Sequence, residues 1–165
     1  MKSVARLICT ASIALVLPLS ACGSSDEEPA ADSTPTQTMS VVTQGFDSLE
    51  DLSDYVAESL DGVEVHLESE TNPDFDAQNE ADRLHVDFTS DQQRAADMEA
   101  TALIVQAASQ AAFDYDILMV TGDVSAGEWS YLYDRDTVKK LTSDGSIVVA
   151  DVWDAAEQSF DTLHR

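Results

Sequence analysis

The side chains best placed to do chemistry in this 165-residue chain lie in stretches of alternating polarity. Val63, Val65 and Leu67 alternate with Glu64, His66 and Glu68, and after a loop around Asn72-Pro73 the pattern returns as Leu84, Val86 and Phe88 against His85 and Asp87. A period of two is that of a half-buried strand, so the two runs predict an antiparallel hairpin. Two pairing registers are open. If Val65 meets Val86 and Leu67 meets Leu84, the polar face sets Glu68 opposite Arg83, His66 opposite His85 and Glu64 opposite Asp87. Imidazoles and a carboxylate converging on one face suit a divalent transition metal, which would also relieve the like charges of Glu64 and Asp87. A shift by two residues instead pairs His66 with Asp87 and His85 with Glu68. It needs no ion and is the simpler expectation.

A second candidate is Trp129, Tyr131 and Tyr133, which share one face of a predicted strand. On an open sheet such a row could stack on sugar rings or grip a peptide; more often aromatics at this spacing are core. No motif of nucleophilic, phosphate-cradling or zinc-peptidase chemistry is present, so the chain is expected to be non-catalytic and to need no cofactor. The acid pairs Asp74/Asp76, Asp114/Asp116 and Asp134/Asp136 are unremarkable in a chain with 32 acids against 8 Lys and Arg. That balance disfavours nucleic acid and anionic headgroups as partners.

The N-terminal residues set the expected location. Lys2 and Arg6 precede the apolar run Leu7 to Leu17, which Pro18 ends well short of the roughly 20 residues a membrane-spanning helix requires. Leu19-Ser20-Ala21-Cys22 then resembles the lipobox of bacterial lipoproteins. The resemblance covers the first 22 residues. It implies cleavage before Cys22, diacylglycerol on its thiol, and a chain fixed by that lipid to the cell membrane, facing outward from the cytoplasm. Cys9 would leave with residues 1–21, and the loss of Lys2 and Arg6 would take the formal charge from −24 to −26. Two acyl chains on Cys22 would anchor the chain stably.

Residues 22–44, rich in Ser, Thr, Pro and acid, predict a flexible stalk of roughly 25 Å mean reach. Residues 45–165 are expected to form a single domain. Leu49, Leu52, Val56 and Leu60 recur at helical spacing behind a cap at Asp47 or Ser48 and stop at Asp61-Gly62. Ser90-Asp91-Gln92-Gln93 has the form of a capping box opening a helix to about Ala112. Its inner stripe would include Met98, Ala102, Val105 and Ser109. The apolar run Ile117 to Val120 reads as a central strand, and Trp129 to Tyr133 as a fourth strand. A short polar element follows over Thr137 to Leu141. Val149, Val152, Trp153, Ala156, Phe160 and Leu163 share one face of a predicted closing helix, with Ile147 to Val149 ambiguous between helix and strand.

The expected fold is therefore α+β, with helices packed on a four-stranded antiparallel sheet in the order α-β-β-α-β-β-α. Tether, stalk and small acidic domain together suggest a binding or interaction module. Its partner would be an envelope protein or cell-wall glycan, or a metal held by His66 and His85.

Overall fold

A computed structural model describes residues 37–164, so the expected lipobox, Cys22 and most of the expected stalk lie outside the described residues. The fold is α+β, but its principal sheet has five strands and is mixed. The first helix, α1 (Leu49–Ala57), is capped as its sequence predicts: the Ser48 hydroxyl oxygen accepts from the Asp51 N–H at 3.1 Å, and Leu52 and Val56 are buried beneath it. The chain then turns at Gly62, whose φ of +65° lies in the left-handed region and whose missing Cβ leaves room for the Thr89 hydroxyl. Strand β2 (Glu64–Leu67), the single helical turn α2 (Glu68–Thr71) and strand β3 (Arg83–Thr89) follow.

Helix α3 (Arg94–Ser109) carries the chain back to strand β4 (Ile117–Val124), which pairs with β3 in parallel. This corrects the all-antiparallel expectation. Two neighbouring strands joined by a 16-residue helix form a βαβ crossover, because the helix returns the chain to the end from which the first strand set out. The stripe predicted for α3 is partly right. Ala102 and Val105 are buried, Met98 and Ser109 only in part, and Asp97, Thr101, Ile104 and Ala108 line the interior as well. Ser90 does not cap it; the N-cap position falls to Gln93, which makes no side-chain capping bond.

A tight turn joins β4 to the antiparallel strand β5 (Gly127–Asp134), and Asp134 caps helix α4 (Arg135–Thr142) by accepting from the Thr137 N–H at 2.6 Å. Gly122 of β4 faces Trp129 across the ladder, where any Cβ would collide with the indole ring.

The predicted closing helix is absent. Ser146–Val148 is strand β6, Val149–Asp151 is one 3₁₀ turn, and Gln158–Asp161 is strand β7, antiparallel to β5. The spacing of Val149, Val152 and Trp153 does serve burial, since all three are buried, but β5 offers a free row of backbone groups that a strand satisfies and a helix cannot. Phe160 consequently points away from the core and is 48% exposed. Within the range expected as stalk, Thr38–Ser40 forms strand β1, paired antiparallel with β6.

The five-stranded sheet runs β2-β3-β4-β5-β7. One face is the core: Leu84, Val86 and Phe88 of β3, Leu118 and Val120 of β4, and the aromatics of β5 are buried together with Leu52, Val56, Ile104 and Val105 of α1 and α3. Along each strand the intervening residues occupy the other face, where His66, His85, Met119, Thr121 and Leu132 are only partly buried. The sheet therefore has a covered face and an open one.

Candidate metal centre

The two candidate constellations of the sequence fall on opposite faces. Trp129, Tyr131 and Tyr133 lie on the covered face and are buried, with Tyr131 the most accessible at 7%. The Trp129 indole N–H donates to Asp97 at 3.1 Å, Tyr131 stacks on Trp153 with ring centroids 4.7 Å apart, and the Tyr133 hydroxyl donates to the Val152 carbonyl at 2.9 Å. Burial pushes the Tyr133 pKa far up. Of the two alternatives for this row the chain adopts the core one, and the candidate ligand-binding face of Trp129, Tyr131 and Tyr133 is not open. These rings are too valuable as buried apolar area to be left in solvent, and their polar ends find partners inside.

His66 and His85 lie on the open face, brought together by the β2–β3 register. Val65 pairs with Val86, Leu67 with Leu84, His66 with His85 and Glu64 with Asp87. The simpler shifted register is not the one adopted. Both registers keep the valines and leucines inward, and the observed one also joins Arg83 to Glu68 through a 2.6 Å hydrogen-bonded ion pair at the end of the hairpin. That guanidinium holds the Glu68 carboxyl below the usual carboxylate range.

The two imidazoles are stacked, 9° from parallel with centroids 4.6 Å apart. One ligand atom from each of His66, His85 and Asp87 lies within 4.8 Å of the others. Tetrahedral donors at bond lengths of about 2.0–2.2 Å stand about 3.4 Å apart, so the three side chains would close in by side-chain rotation to chelate one ion. Burial first, and the neighbouring His66 second, push the His85 pKa down against the opposing pull of Asp87 and Glu68. A neutral imidazole keeps the lone pair that a metal requires. Thr121, in register with Asp87 on the next strand, has a buried hydroxyl that finds no hydrogen-bond partner among the described residues. From that position it could donate to an Asp87 carboxylate turned toward it.

A further polar cluster escaped the sequence reading. The Asp97 carboxylate, 1% exposed, accepts from the Ser90 hydroxyl at 2.6 Å and from Trp129, and its Oδ2 lies 2.9 Å from His164 Nε2. The His164 side chain, 3% exposed, has its Nδ1 3.1 Å from Asp161. The group contains serine, histidine and aspartate, yet Ser90 is hydrogen-bonded to the carboxylate and the ring stands between two carboxylates. No serine–histidine–aspartate relay is assembled there. The signal in the sequence was position: Asp97 lies four residues before Thr101 and eight before Val105, on the buried stripe of α3. His164, three residues beyond the last strand, gave none.

Comparison with known proteins returned no matching protein-family model, no similar curated protein and no similar solved structure.

Proposed function

We propose that the chain is a lipid-anchored envelope protein whose domain binds a divalent transition-metal ion on the open face of its sheet, through His66, His85 and Asp87. The observation that carries the reading is the β2–β3 register, which aligns His66 with His85 and places Asp87 two residues along the same face. Two imidazoles and one carboxylate form a mixed nitrogen and oxygen set that suits zinc, copper or nickel. The ion would neutralise the cross-strand conflict between Glu64 and Asp87 and bind two strands that are separated by a loop. The tether rests on the Leu19-Ser20-Ala21-Cys22 lipobox, which would hold the site outside the cytoplasm.

The test is thermal unfolding of the full chain, carrying Cys9→Ser and Cys22→Ser to remove competing thiols, with and without zinc. An ion that binds only the folded state at 100 times its Kd adds about 2.7 kcal/mol, so the melting temperature should rise clearly. His66→Gln with His85→Gln should erase the rise. An unchanged melting temperature of the parent at millimolar zinc would sink the reading.

A further inference from the structure

We infer that the site selects copper, with the Met119 thioether as its soft third donor. The inference rests on the metal reading above and adds a ligand from outside the β2–β3 hairpin. Because β4 pairs with β3 in parallel, Met119 stands directly beside His85, and His85 directly beside His66, so that three donors lie abreast in one row across β2, β3 and β4. Neighbouring strands are about 4.8 Å apart, so Met119 and His66 flank His85 from either side across roughly 9.6 Å, and an ion above His85 is reached by the unbranched methionine side chain leaning in from one side and the His66 imidazole from the other. Met119 is partly buried on the open face and takes no part in the core packed beneath the sheet. Leu132 continues the same row on the far side of Met119, so the row ends in an apolar side chain.

Ligand softness decides the ion. Zinc is held by imidazole, carboxylate and thiolate, whereas a thioether contributes chiefly to copper, most of all to Cu(I). The described residues hold no cysteine, so thiolate is not available to compete within the fold. His66, His85 and Met119 supply the low-coordinate nitrogen and sulfur set of Cu(I). Asp87 adds a hard oxygen on the same face for a divalent ion. The ligand class is thus a copper ion, bound more tightly in its reduced state than zinc is.

The test uses the full chain with Cys9→Ser and Cys22→Ser. Cu(I), kept reduced with ascorbate under anaerobic conditions, is titrated against a chromophoric Cu(I) chelator, and zinc against a zinc-binding dye. Met119→Leu conserves volume and should fold. It should weaken Cu(I) binding at least about tenfold while leaving zinc within about twofold, since only copper uses the sulfur. Met39→Leu, on β1, should change neither, and X-ray absorption of the copper complex should lose a sulfur scatterer in Met119→Leu alone. If Met119→Leu binds Cu(I) as tightly as the parent while His66→Gln with His85→Gln abolishes binding, the copper inference is overturned and the metal site stands. If the double histidine variant binds both ions like the parent, the inference and the metal reading fall together.

Discussion

Replacing Asp97 with Ala should cost the domain about 4 kcal/mol, a large part of the 5–15 kcal/mol a domain of this size commands. Asp97 is 1% exposed and serves three partners: the Ser90 hydroxyl at 2.6 Å, the Trp129 indole N–H at 3.1 Å and the His164 ring at 2.9 Å. Leaving a buried polar group without its hydrogen-bond partner costs roughly 1–3 kcal/mol, and three partners lose theirs at once. A plain sum over the three runs from roughly 3 to 9 kcal/mol and overstates the loss, because partners that share one acceptor relax together. A value near the lower end is therefore the right one. Urea unfolding followed by tryptophan fluorescence is the natural assay, since Trp129 lies on the network and Trp153 packs 5.4 Å from it. A double-mutant cycle of Asp97→Asn with His164→Gln isolates the bridge and should give a coupling of at least about 1 kcal/mol. A loss below about 1 kcal/mol for Asp97→Ala, or additivity of the two milder changes, would refute the idea that this carboxylate pins the C-terminal residues to the core.

Two further outcomes follow from the sequence and the core. Cys22→Ser should abolish lipid labelling and leave uncleaved precursor; unchanged lipid incorporation would remove the tether. Burial pushes the Tyr115 pKa up to about 12 and raises Tyr133 further, against about 10 in an unfolded chain. The folded state thus keeps protons that the unfolded state releases, so this stability is intact below pH about 10 and declines as pH climbs toward 12. Phenolate absorbance from these two rings should appear only together with unfolding measured by circular dichroism, and appearance well before it would show the rings to be accessible.

How much of this was legible depended on whether local or distant contacts decided the element. Ser48 and the Leu49, Leu52, Val56 spacing suffice for α1, because a cap and a stripe act within one helix. The hairpin strands were equally plain. Their register was not, since both alternatives hide the same apolar side chains and differ only in polar pairs of small energy. The like-charge rule favoured the shifted register, whereas the chain accepts Glu64 opposite Asp87 while joining Arg83 to Glu68. At the C-terminus, Val149 to Leu163 keeps a helical spacing, yet the unpaired backbone of β5 recruits Gln158–Asp161 as a strand. Periodicity reports what must be buried; it does not report which edge still needs a partner.

The same distinction explains why the proposed copper ligand set could not be found by spacing. His66 and His85 can be put together from two alternating runs, but Met119 joins them only through the direction in which β4 enters the sheet. Had β4 lain antiparallel to β3, as four strands in two hairpins would suggest, its direction would be reversed and the residue beside His85 would depend on a different register. The crossover helix α3 fixes that direction, and it does so with its own buried stripe, including Asp97, docked on the covered face. The packing of one face thereby sets the ligand order on the other. A variant that loosens α3 should accordingly weaken Cu(I) binding without touching a ligand, and should leave the His66–His85 pair able to hold zinc, because that pair belongs to the β2–β3 hairpin alone. Measuring both ions on Asp97→Asn would separate the two contributions. Equal losses for copper and zinc would contradict this division of labour between the two faces.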